Sequence, residues 1–211
     1  MTVHTFTKRE EFFHAMTHGI GAILSIVALV LLIVFASIQG GATLIVSVTI
    51  FGSTMLLMYV ASTIVHSLSI SKWKNIFLIV DHAAIYLFIA GTYTPLVLST
   101  LQGAIGWTLF GIVWGIAVVG IVLKLFFVHK FVFLSTLAYI MMGWIIVFAW
   151  GPLTEAMHQN GILFLVIGGI VYTVGAIFYV WKGIPYHHVI WHIFVVVGSI
   201  LHFFAVFFYV I

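Results

Sequence analysis

Seven runs of about twenty apolar residues follow one another along this chain, and each matches the length a helix needs to cross the hydrocarbon core of a bilayer. The runs cover roughly residues 17–38, 42–66, 76–99, 104–123, 131–150, 161–181 and 187–210. They are continuously apolar, whereas a membrane β-barrel reads as short segments alternating with period two. Of the 211 residues, 64% are hydrophobic and 5% are charged. Soluble domains carry about 25% charged residues, and a chain this size cannot hide so much apolar surface from water. A soluble enzyme, a disordered chain and a nucleic-acid binder are excluded. The expected fold is all-α: a polytopic integral membrane protein, seven transmembrane helices in a bundle, read as one domain over residues 1–211. The breaks between runs are short, so sequential helices are antiparallel neighbours.

The few basic residues fix an orientation. Lys8 and Arg9 precede the first run, Lys72 and Lys74 separate the second from the third, Lys124 and Lys130 separate the fourth from the fifth, and Lys182 separates the sixth from the seventh. All seven fall on one side. The positive-inside rule then puts the N-terminus in the cytoplasm and the C-terminus outside, in a cell inner or plasma membrane. Thr7-Lys8-Arg9-Glu10 reads as a capping box, which lets the first helix begin near Lys8. No cleavable signal peptide is expected, because the first run is too long for one. The chain has no Cys, which removes disulfides and thiolate ligands. Gly111 and Gly115 form a GxxxG pattern that signals close helix packing. No oligomeric state follows from it.

Eleven His stand against four Asp and Glu, and polar groups inside a membrane are costly enough to want a reason. His66 ends the second run one turn from Ser62. Asp81 and His82 open the third, and His188 and His192 open the seventh. Glu11, His14 and His18 follow i, i+3, i+7 spacing at the start of the first. These side chains converge from four helices at one depth, on the cytoplasmic side. Two imidazoles four residues apart can bind one metal ion, and a third from another helix makes an open, catalytic-type zinc site. Asp81 is the natural carboxylate to act on a water there, and Ser62 can hydrogen-bond a ligand or a substrate. Other readings stand beside this one. The His can be interfacial groups bonded to carbonyls or headgroups, or a proton relay. Asp81 can be solvated or paired with Lys74, and Glu11, His14 and His18 can form a wet amphipathic face. His187 points away from His188 and reads as an interfacial neighbour, while His4, His129 and His158 belong to the tail and loops. His202 lies about 21 Å deeper along the last helix than His188, too far to share a metal, and reads as a buried, hydrogen-bonded His.

The stretches Glu11-Phe-Phe-His-Ala-Met-Thr-His-Gly-Ile-Gly21, Ser62-Thr-Ile-Val-His66, Asp81-His-Ala-Ala-Ile-Tyr86 with Ala90-Gly-Thr-Tyr-Thr-Pro95, and His188-Val-Ile-Trp-His-Ile-Phe-Val195 with His202 resemble the hemolysin III family. That family is the bacterial branch of the progestin and adipoQ receptor (PAQR) superfamily. One departure is His14, where Asn is expected in most relatives. The resemblance implies Zn2+ held by His66, His188 and His192, with Ser62 and Asp81 beside it and Asp81 acting through water as a general base. Glu11, His18 and His82 are accessory candidates. It also implies a role in membrane lipid homeostasis, with lipids as partners and a lipid amide or ester as a hydrolase substrate bound in the bundle. A receptor-like sensor of membrane state with structural zinc is the alternative. A pore-forming hemolysin or channel fits less well, because the fourth to sixth runs contain no ionisable residue within their limits and no polar stripe crosses the bilayer.

Overall fold

A computed structural model describes residues 6–211. His4 lies outside them. Among the described residues there is no strand. Seven helical spans are long and apolar enough to cross a membrane, at Lys8–Gln39, Ala42–Ser67, Lys72–Leu101, Gly103–Phe127, Val132–Ala156, Gln159–Val180 and His187–Tyr209.

Several boundaries have a local cause. Helix α1 (Lys8–Gln39) starts on the expected capping box: Thr7 accepts from the Glu10 backbone N–H, and the Glu10 side chain reaches back to the Thr7 N–H. It stops at Gly40-Gly41, and α2 (Ala42–Ser67) begins at once. Ser71 caps α3 (Lys72–Pro95) by accepting from the Lys74 N–H. Pro95 cannot donate to the helical ladder, and the chain continues as a π-helical turn over Leu96–Leu101. Gln102 and Gly103, both at positive φ, then reverse it into α4 (Gly103–Phe127). The fifth span is broken. Helix α5 (Val132–Gly143) gives way to a 3-10 turn at Ile145–Ala149 and then to the short α6 (Trp150–Ala156). Helices α7 (Gln159–Val180) and α8 (His187–Tyr209) complete the bundle, with Tyr186 at positive φ before α8.

Two expectations change here. Lys124 was placed in a loop, but α4 continues past it and buries it at 3% exposure, so the fourth span does contain an ionisable group. A Cβ added at Gly111 or Gly115 would meet nothing within 4 Å, so the GxxxG pattern marks no close helix approach among the described residues. Close approach occurs elsewhere. At Gly21 a Cβ would stand 2.5 Å from the Tyr59 ring, so α1 can lie against α2 at that height only without a side chain.

Helix α1 packs on α2 and α8, α2 on α3, α3 on α4, and α7 on α8. A large apolar cluster joins α1, α2, α3 and α8 around Leu32, Phe51, Met55 and Tyr59, and a second joins α3, α4 and α5 around Tyr93, Val113 and Met142. The outward faces are apolar too. Ile23, Val30, Val119, Phe126, Leu134 and Ile177 are all exposed by more than a third, which suits a lipid solvent. The seven basic residues gather at one end of the bundle, where α1, α3, α5 and α8 begin and α2, α4 and α7 end.

Candidate metal centre

Near this basic end, α1, α2 and α8 turn imidazoles toward one another. The ligand atoms of His66, His188 and His192 all lie within 4.8 Å of one another. His66 is the last polar residue but one of α2, and Glu11 lies across from it in the first turn of α1. Glu11 Oε2 accepts from His66 Nδ1 at 2.6 Å. The other oxygen, Oε1, accepts from Lys74 Nζ at 2.6 Å, and Lys74 also donates to the Leu68 carbonyl. A carboxylate held by an ammonium can only accept, so His66 carries its proton on Nδ1 and leaves Nε2 as a free lone pair. The same logic holds for His192. Its Nδ1 donates to the His14 carbonyl at 3.3 Å and to Thr17 Oγ1 at 3.2 Å. The Thr17 hydroxyl hydrogen is used on the Phe13 and His14 carbonyls, so its oxygen is the acceptor. Two of the three His therefore have one nitrogen fixed by a neighbour and the other left free. That is the pattern in which outer groups orient metal-ligating imidazoles.

Further imidazoles crowd the same place. His14 is fully buried and neither ring nitrogen has a hydrogen-bond partner. His18, also buried without partners, stacks on His192 with ring centres 3.5 Å apart and stands edge-on to Tyr59. Phe6 lies over the cluster, 4.6 Å from the His14 ring and 5.1 Å from His188. Buried imidazole nitrogens without partners are costly, and a cation is the ligand chemistry that would satisfy them. Neutral nitrogen donors at these separations fit zinc and other borderline divalent ions.

A cavity of about 270 Å³ opens beside the cluster. Ser62, Asp81 and His82 line it at the basic end, and it continues past Phe88, Thr92 and Tyr93 as far as His202. Its walls are mostly apolar and aromatic. Ser62 is the side chain whose hydroxyl bears on the Asp81 carboxyl. His82 donates from Nδ1 to the Leu78 carbonyl at 2.8 Å and accepts at Nε2 from the Tyr179 hydroxyl at 3.0 Å.

Several alternatives from the sequence do not hold. Glu11, His14 and His18 are not a wet face, because both His are buried and Glu11 is paired inward. Lys74 pairs with Glu11 rather than with Asp81. His187 is buried rather than interfacial, and its Nδ1 donates to the Phe178 carbonyl. His82 has both nitrogens engaged and stands outside the candidate ligand sets found among the described residues. His202 is hydrogen-bonded, as expected, to the Gly198 carbonyl at 2.9 Å, but it also lines the far end of the same cavity. The roles of Thr17 and Tyr179 were missed from the sequence, and Lys74 was given the wrong carboxylate. Thr17 sits one turn from His14 and offered a weak spacing signal; the partnership of Tyr179 with His82, ninety-seven residues apart, had none.

The family model described as "Haemolysin-III related" matches residues 6–203. The chain is 51% identical over 211 residues to Hemolysin-3 of Bacillus cereus, covering 100% of this chain and 96% of that one. It is 54% identical over 204 residues to a Hemolysin-3 homolog of Bacillus subtilis (strain 168), covering 97% and 96%. It is 26% identical over 163 residues to the Monocyte to macrophage differentiation factor of Homo sapiens, covering 74% and 67%. No solved structure matches it. With a match over nearly its whole length and relatives above half identity, this seven-span membrane protein belongs to the haemolysin-III related family.

Proposed function

We propose that this protein is a zinc-binding protein of membrane lipid homeostasis that hydrolyses a lipid amide or ester. The observation that carries the reading is the opening of three mutually close imidazoles, His66, His188 and His192, onto one long cavity that also contains Asp81 and Ser62. A bound zinc ion would act as a Lewis acid and acidify water at its open position. The protein's own groups do the rest. Asp81 would serve as general base for a water in the cavity, and Ser62 would hold the carboxyl or the substrate carbonyl by a hydrogen bond. The apolar wall from Phe88 toward His202 takes an acyl chain and keeps bulk water away, so the polar end of a lipid is presented to the imidazoles. His188 and His202 are fourteen residues apart on α8, about 21 Å of helix, which gives the cavity an extended shape suited to a chain. The basic end, with this site, faces the cytoplasm.

The test is elemental analysis of purified protein together with turnover of lipid amides and esters. Wild type is expected to carry one zinc per chain and His188→Ala to lose it, while Asp81→Asn keeps the metal and loses turnover. Asp81→Asn protein that hydrolyses lipid as fast as wild type overturns the hydrolase reading. A reporter fused to each terminus checks the orientation.

The second reading, a sensor of membrane state with structural metal, is favoured by one observation. His14 adds a further buried imidazole beside the three. Zinc-ligand variants that lose the cellular phenotype, from a protein that hydrolyses no lipid, would select it.

A further inference from the structure

The ring centres of His14, His66, His188 and His192 form a near-regular tetrahedron. His14 stands 4.7 Å from His66, 4.8 Å from His188 and 5.3 Å from His192. The other three edges are 5.4 Å for His66–His188, 5.2 Å for His66–His192 and 4.6 Å for His188–His192. Four imidazoles bound tetrahedrally at Zn–N of about 2.0–2.1 Å place their ring centres about 5 Å apart. The arrangement therefore has the dimensions of a closed site, in which His14 stands at the fourth corner.

We propose that His14 is a fourth imidazole ligand, which closes the coordination sphere of the resting centre. The inference rests on the three-His reading above and adds one residue to it. His14 is the most buried member of the cluster, and neither of its nitrogens has a hydrogen-bond partner. Glu11 Oε2 faces its Nδ1 at 3.8 Å, beyond hydrogen-bond reach, while the same oxygen bonds His66 Nδ1 at 2.6 Å. One carboxylate thus stands on the Nδ1 side of both rings. At rest the His14 ligand atom groups with Glu11 and His66 and not with all three other His, so ligation requires the His14 side chain to turn.

That second grouping raises the rival of a second cation on Glu11, His14 and His66. Charge argues against it. Glu11 is already neutralised by Lys74 at 2.6 Å, so two dications a few ångströms apart would share no free carboxylate. The fourth ligand has a consequence for chemistry: with His14 bound, no position is left for water or a lipid carbonyl. Access then requires His14 to withdraw from the ion and to keep or give up its T-shaped contact with Phe6.

The experiment loads purified full-length protein with Co2+, whose visible spectrum reports coordination, and titrates azide as a small anionic ligand. Wild type is expected to bind one Co2+ per chain with a spectrum that azide does not change. His14→Asn is expected to bind one Co2+ with a spectrum that azide shifts. X-ray absorption of wild-type protein loaded with zinc needs no variant and is expected to count four imidazoles. Three imidazoles plus an oxygen, an azide response in wild type equal to that of His14→Asn, or two Co2+ per chain would each overturn the fourth ligand while leaving the three-His reading standing. Wild-type protein that binds no Co2+ and no zinc removes both.

Discussion

Glu11 of α1 and His66 of α2 are joined at 2.6 Å, carboxylate oxygen to Nδ1, although fifty-five residues separate them. The pair ties two helices together at the basic end and fixes which nitrogen of His66 remains free. Lys74 on α3 donates to the other carboxylate oxygen, so a third helix is drawn to the same point.

Glu11→Gln keeps the shape of the side chain and removes the charge that holds His66 in its tautomer. Loss of such an outer carboxylate typically weakens metal affinity by about 10–100-fold. The same factor is expected here, with the metal still bound at saturating concentration. Competition with a chelator of known affinity measures it; an unchanged affinity would show that the carboxylate does not orient a ligand.

Ser199 on α8 is the acceptor shared by two phenols, those of buried Tyr59 and half-buried Tyr172. Its Oγ lies 2.7 Å from the Tyr59 hydroxyl and 3.0 Å from that of Tyr172, and it donates to the Val195 carbonyl. Ser199→Ala strands both phenols, with only the 3.3 Å contact from Tyr59 to Val195 left. An unsatisfied buried donor costs about 1–3 kcal/mol. Ser199→Ala is therefore expected to lower thermal stability in detergent more than Tyr59→Phe, which removes one phenol and leaves the serine bonded.

Gly106 lies over the π-helical turn, where an added Cβ would meet the Val97 carbonyl oxygen at 2.1 Å, a backbone atom that cannot swing aside. Gly106→Ala is expected to destabilise by about 1–3 kcal/mol, the usual range for overpacking. Gly111→Ala, which meets nothing within 4 Å, serves as the control. Equal melting temperatures for the two variants would contradict the packing described for α4.

Thr7 caps α1 just ahead of Glu11. Thr7→Ala is expected to fray the first turn at a cost of about 1 kcal/mol. Hydrogen exchange should rise at the backbone amides of Glu10 and Glu11 and not at the middle of the helix. No change at those amides would mean that packing alone holds the helix start.

The sequence by itself determined the solvent, the number of spans and the gathering of basic residues at one end. Those properties follow from transfer of whole segments into lipid, which is local and additive along the chain. Helical spacing also brought His188 with His192, and Ser62 with His66, onto shared faces. Even the start of α1 was legible, because a capping box is made of neighbours. Tertiary structure decided the rest. The length of α4, which buries Lys124, depends on what lies alongside it. The partner of Lys74 proved to be Glu11 rather than Asp81, because α1 and α2 bring that carboxylate nearer than α3 brings its own. The burial of His14, its four-ring arrangement with His66, His188 and His192, and the cavity that links Asp81 to His202 all arise between helices. Distances between residues of different helices are set by side-chain packing around the whole bundle, and a period of 3.6 residues along any one helix carries no record of them.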